Sequence, residues 1–260
     1  MPVTRRTSRR HNWRTIAALG APAAGIIAAI LVAVFFTSGS HASRRAIIVD
    51  QLAATDPNAA FVQDASDTLQ RAGYQVDYVP PESVTVDFYR KLPALGYDLV
   101  ILRSHATQYQ KDLADPANKT QSITLFTNQP YDARKYVDAQ RREQLLLAAY
   151  ADSASATRYF AVGAPFVKDV MEGQFPSSTV ILMGCGGLSG PMLADAFLQR
   201  GVRHFVSWDN SVTAQFTDSA TTVLLHHFTS DVPDIDLATT QTMTELGPDT
   251  AFDSYLRSYP

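Results

Sequence analysis

The chain has 260 residues, a formal net charge of -3 and 46% apolar residues. That apolar fraction is ample for a core, and the slight acidity excludes a nucleic-acid binder that works through a basic surface. The single cysteine, Cys185, excludes an internal disulfide and any multi-thiolate zinc site, and the absence of an HExxH or CxxC pattern leaves no metal or cofactor to expect.

Five arginines (Arg5, Arg6, Arg9, Arg10, Arg14) precede residues 15–36, which carry no charge. As a helix that run spans about 30 Å of hydrocarbon. It predicts a single transmembrane helix, or signal anchor, after a basic cytoplasmic N-terminus at 1–14. The positive-inside rule then puts everything beyond residue 40 outside the cytoplasm. The alternative is a cleaved signal peptide and a secreted product, since Ser40-His41-Ala42 has small-x-small character. Residues 37–45 read as a polar linker to a domain spanning 46–260.

Within that domain, 46–50 reads as a buried strand. Asp56-Pro57 opens a helix as cap and first-turn proline; Phe61, Ala65, Leu69 and Ala72 recur at helical spacing and Gly73 stops it. Residues 74–79 read as a strand broken by Pro80-Pro81, 85–92 as a short helix, and 99–102 as a strand that runs out at Ser104-His105. Residues 106–160 turn polar and read as an insertion bordering a site, with an edge strand at 123–127, a helix at 141–150 and a strand at 159–162. A helix follows near 165–172, then an apolar strand at 179–183 opening into Gly184-Cys185-Gly186-Gly187. Next come a helix at 192–199, a strand at 204–209 and a helix at 215–228. Strands that are continuous apolar runs, alternating with helices, predict an α/β fold: a mainly parallel sheet in a three-layer α/β/α sandwich. Ligands of such sheets bind beyond the carboxyl ends of the strands. His105, Cys185 and Asp209 all fall there.

A solitary cysteine is most often a small buried hydrophobe, and a histidine at a strand end can simply cap a loop. Placement at one rim favours chemistry instead. The ordered set of 98–105 ending in His105, 180–185 ending in Cys185, the following helix at 193–201 and the strand at 206–209 resembles the caspase-like cysteine peptidases, the group of caspases, metacaspases, clostripain, gingipains, separases and CHAT domains. It covers about residues 46–230.

That resemblance implies a caspase-like sheet, a cysteine-type endopeptidase, a polypeptide substrate, Cys185 as nucleophile and His105 as general acid/base. The thiolate attacks a peptide carbonyl and the histidine protonates the leaving amine. The backbone N–H groups of Cys185 and Ala106 are the expected oxyanion donors. Ala106 stands where those peptidases usually have glycine, and it still supplies the backbone N–H. Asp209 is the expected S1 residue for a basic P1 side chain, with Trp208 as a wall; Asp209-Asn210 reads equally as a turn-forming pair. Two other readings stand beside this one. The chain is an inactive caspase-fold interaction module, for which Ala106 argues, or an amidotransferase-like cysteine hydrolase, whose histidine would have to follow Cys185. The sequence is silent on oligomeric state.

Overall fold

The computed structural model describes residues 44–110, 119–150, 157–230 and 233–260. The chain divides into two units, 1–42 and 43–260, and only the second is described. The predicted membrane helix at 15–36 lies outside the described residues; no helix among them is long and apolar enough to cross a membrane.

The domain is α/β with two sheets. Strands β1 (Arg44–Asp50), β2 (Tyr74–Val79), β3 (Leu99–Arg103), β8 (Thr179–Leu182), β9 (His204–Trp208) and β10 (Leu256–Tyr259) form a six-stranded sheet in the order β10-β9-β8-β3-β1-β2. Every pairing is parallel except that of β10 with β9. Apolar side chains alternate between its two faces. One face packs on the helices α2 (Val86–Lys91), α4 (Ala164–Asp169) and α5 (Met192–Gln199). The other packs on α1 (Ala59–Arg71), α6 (Ala214–Phe228) and α7 (Ile235–Leu246). Burial on both faces is why these strands read as unbroken apolar runs.

The helix starts follow local chemistry. The first does not begin at Asp56-Pro57, as the sequence suggests. Asn58 caps it, its side chain accepting from the Phe61 N–H at 3.1 Å. The Thr85 and Thr213 hydroxyls cap α2 and α6 in the same way.

Residues 106–163 form more than a bordering insertion. Strands β4 (Ala106–Gln110), β5 (Lys119–Pro130), β6 (Leu145–Ala149) and β7 (Arg158–Gly163) build an antiparallel sheet in the order β4-β5-β7-β6. The helix expected at 141–150 is corrected here. The short α3 (Val137–Arg141) ends at its start, and Leu145–Ala149 pairs with β7 at five positions. Leucine and alanine favour helix locally, and sheet pairing overrides them. The last strand, β10, is also an addition: nothing in its four residues distinguishes an edge strand from a loose tail.

A buried ion cluster ties the rim of the parallel sheet together. Arg103 is fully buried at the end of β3. Its guanidinium donates to Asp218 of α6 through two bonds, at 2.7 and 2.8 Å, to Asp50 at the end of β1 at 2.8 Å, and to the Asp56 carbonyl at 2.8 Å. Asn58 adds a donor to Asp218 at 2.8 Å. Burying these charges costs several kcal/mol per ion. The four fully buried aliphatics that precede Arg103 in β3 offset this with about 1.5–3 kcal/mol each, before chain entropy. Replacing Arg103 by Met leaves two buried carboxylates unpaired. Urea unfolding of Arg103→Met is expected to show a loss of about 3–5 kcal/mol.

Candidate active site

The rim is assembled from four strand ends. Ser104 and His105 follow β3, Gly184 and Cys185 lie two and three residues beyond β8, Gln51 and Thr55 follow β1, and Asp209 and Asn210 follow β9. Because β3 and β8 are hydrogen-bonded neighbours in parallel register, the histidine and cysteine segments leave the sheet side by side. They pass so closely that a Cβ on Gly184 would lie 2.4 Å from the Ser104 carbonyl oxygen and 3.3 Å from the Ala106 nitrogen. Only glycine permits that approach. Gly187 is fixed for a similar reason, since a Cβ there would strike the Ser207 hydroxyl of β9 at 2.2 Å. Gly186 takes a left-handed φ of 63° in the same turn.

Cys185 is partly exposed and lines a cavity of about 1000 Å³ between its own turn, the turn after β9 and the antiparallel sheet. Its Sγ contacts the Val212 carbonyl at 3.5 Å. The Cys185 N–H has no hydrogen-bond partner among the described residues. Ala106 opens edge strand β4. The Phe126 N–H donates to the His105 carbonyl at 3.0 Å, which makes 105 and 126 a hydrogen-bonded pair and 106 and 125 a non-hydrogen-bonded one. The Ala106 N–H therefore points away from β5.

His105 is held from three sides. Its backbone N–H donates to the Gln51 Oε1 at 2.8 Å. Its ring packs edge-on against Tyr150, with centroids 4.9 Å apart, and against Phe126 at 5.9 Å. Its Nε2 lies 2.7 Å from the Thr55 hydroxyl oxygen, which is also 3.2 Å from the Leu52 carbonyl. Thr55 has one proton, and both contacts are hydrogen bonds only if that proton goes to Leu52 and Nε2–H donates to Thr55. Neutral His105 then carries its lone pair on Nδ1. Burial pushes the imidazole pKa below its ordinary value, and the Arg103 cation adds to this against the opposing pull of the Asp56 carboxylate.

Gln51 is the hub of this arrangement. It is fully buried. Its Oε1 accepts from His105 and, at 3.3 Å, from the Ser104 hydroxyl; its Nε2 donates to the Asn128 Oδ1 at 2.8 Å and to the Tyr150 hydroxyl at 3.0 Å. One amide thereby joins the end of β1, the end of β3, β5 and the residue after β6. Sequence reading missed both Gln51 and Thr55. The available signal was their position just beyond a buried parallel strand.

The expected site residues separate into two groups. His105, Ala106 and Cys185 stand at one rim. The thiol and imidazole do not touch, however. The imidazole bonds to Thr55 on the β1 side of the β3–β8 pair, and the thiol leans on Val212 beyond β9. Cys185 lines the cavity and His105 lies outside its lining. The S1 pair fares differently. Trp208 is fully buried, its indole N–H donating to the Thr217 hydroxyl at 2.9 Å, so it belongs to the core and walls no pocket. Asp209 accepts from the Tyr255 N–H at 2.8 Å and pairs with Arg257 of β10 at 2.9 Å. Its neighbours Asn210 and Ser211 line the cavity in its place. A basic P1 side chain therefore meets no free carboxylate among the described lining residues.

No family model matches the chain, and no curated protein matches it.

The depressed pKa has a definite stability consequence. Between about pH 6.5 and the lower folded value, the unfolded chain binds a proton that the folded chain does not. Stability thus falls as pH drops through that window, and is unaffected by His105 above it. NMR titration is expected to place the His105 midpoint below about 6.5, with the resonance assigned by its absence in His105→Ala. A midpoint above that value contradicts the buried, Thr55-bonded imidazole.

Proposed function

We propose that the protein is a membrane-anchored cysteine endopeptidase of the caspase-like type, with Cys185 as nucleophile and His105 as general acid/base. The observation that carries this reading is the forced approach of the β3 and β8 ends at Gly184. That approach supports a partly exposed thiol, lining a cavity large enough for a peptide, and a neutral, rigidly held imidazole on adjacent segments. The resemblance of the 98–105 and 180–185 segments to that family supplies the class of reaction. The uncharged run at 15–36 behind five arginines supplies the anchor, with the catalytic domain extracytoplasmic.

In the working state the sulfur exchanges its contact with the Val212 carbonyl for Nδ1 of His105. A thiol is a weak donor, so little is lost in the exchange. His105 takes the thiol proton and the thiolate adds to the scissile carbonyl. The oxyanion is met by the N–H groups of Cys185 and Ala106, neither of which is committed elsewhere among the described residues. The proton then passes to the leaving amine, and water, activated by the same imidazole, releases the acid. Thr55 keeps the ring in the tautomer that leaves Nδ1 basic. A basic P1 preference is not part of the proposal, because Asp209 is already paired and Trp208 is core.

One observation favours a second reading, a non-catalytic caspase-fold interaction module: the thiol and imidazole stand apart in this structure. The amidotransferase-like reading has less. The histidines after Cys185 are engaged elsewhere, His226 and His227 facing Asp64 and Glu245 at 3.9 and 3.0 Å and His204 opening β9, and none lines the cavity.

The readings part on activity. Full-length protein in detergent should cleave members of a fluorogenic peptide panel varied at P1 and take up a peptidyl acyloxymethyl ketone at Cys185. Cys185→Ala should abolish both, and His105→Ala should lower turnover by about 10²–10⁴-fold. Absence of cleavage and of labelling across the panel selects the interaction module.

A further inference from the structure

The outward edge of β4 runs along the same cavity as the thiol. The cavity is lined by consecutive residues of both edge strands of the antiparallel sheet, 106–109 of β4 and 145–149 of β6. In β4, the pairing of 105 with 126 fixes which main-chain groups face outward. Ala106 and Gln108 are the non-hydrogen-bonded positions, so their N–H and C=O groups point away from β5. Outside the β4–β5 ladder, no backbone hydrogen bond from another described residue reaches either. An edge of this kind is a template for an added strand.

We propose that a polypeptide segment docks in extended form along the outer edge of β4, pairing with the main chain of Ala106 and Gln108, and that its side chains beside Cys185 are uncharged. The proposal rests on the peptidase reading only in naming the occupant as substrate. Two observations choose the occupant. Main-chain groups with no partner call for another main chain, and strand addition satisfies them without regard to sequence. The lining is neutral: among its described residues are Thr124, Gln140, Ser189 and Asn210, and no Asp, Glu, Lys, Arg or His. A charged side chain entering there gives up hydration without gaining a counter-charge, whereas serine, threonine, glutamine or alanine exchanges water for the hydroxyls and amides of the wall. The Ala106 N–H lies where the strand meets Gly184, so a segment paired along β4 is led toward the sulfur.

The test uses the full-length Cys185→Ala chain in detergent and fluorescein-labelled decapeptides composed of Ala, Ser, Thr, Val and Gln, read by anisotropy. Saturable binding is expected, weakened by about tenfold or more when Lys or Asp replaces the central residues. Gln108→Pro in that background removes one outward N–H while sparing the bonds to β5, and should weaken binding by about tenfold with an unchanged melting temperature. Backbone N-methylation of the peptide, which leaves the protein untouched, should weaken binding at alternate residues only. Absence of saturable binding, equal binding by a folded Gln108→Pro variant, or indifference to N-methylation overturns the proposal. Cleavage fails separately: a wild-type chain that binds these peptides but does not cut them contradicts the peptidase reading and leaves the docking edge standing.

Discussion

The bidentate pairing of Arg103 with Asp218, completed by Asp50, is the constraint from which the rest of the site follows. It joins the ends of two adjacent parallel strands to a helix more than a hundred residues further on, with all three groups withdrawn from solvent. Such a cluster adds little net stability over a well-packed apolar alternative. Its effect is positional: a buried guanidinium with each carboxylate in reach admits one register of β1 against β3, and that register decides where Gln51 and His105 emerge.

From that fixed rim the candidate chemistry is built in short steps. Gln51, next after Asp50, spends both ends of its amide on the His105 backbone and on Asn128 and Tyr150. The antiparallel sheet is thus locked to the parallel one at the His105 backbone. Gly184 lets the cysteine segment lie against the histidine segment with no side chain between them. What remains adjustable is the thiol, held by a single long contact to a carbonyl. A rigid imidazole and a loosely held sulfur suit a site whose last adjustment accompanies substrate binding, since hydrogen bonds of the resting state often tighten only in the complex.

Much of the parallel sheet was legible because its strands are buried on both faces, and continuous aliphatic runs such as 99–102 have few other homes. The rim was legible for the same reason: residues just past such runs must lie at the carboxyl edge. Residues 145–149 were misread because three leucines and two alanines favour a helix locally, and only β7, further along the chain, makes them a strand. Arg103 was not singled out, because its burial depends on Asp218, which no local pattern links to it. Trp208 and Asp209 were assigned by analogy with a family. Trp208 goes to the core because its indole N–H finds Thr217, and Asp209 to Arg257 because β10 folds back beside β9. Neither partner is visible from the residues around them.

The central claim is that His105 governs the reactivity of Cys185. The most direct measurement is the rate of Cys185 alkylation by iodoacetamide between about pH 5 and 9 in the wild-type chain and in His105→Ala. The account predicts an acid inflection below about pH 6.5, matching the depressed imidazole, that disappears in the variant. Superimposable profiles would show a thiol indifferent to its neighbour and would contradict it.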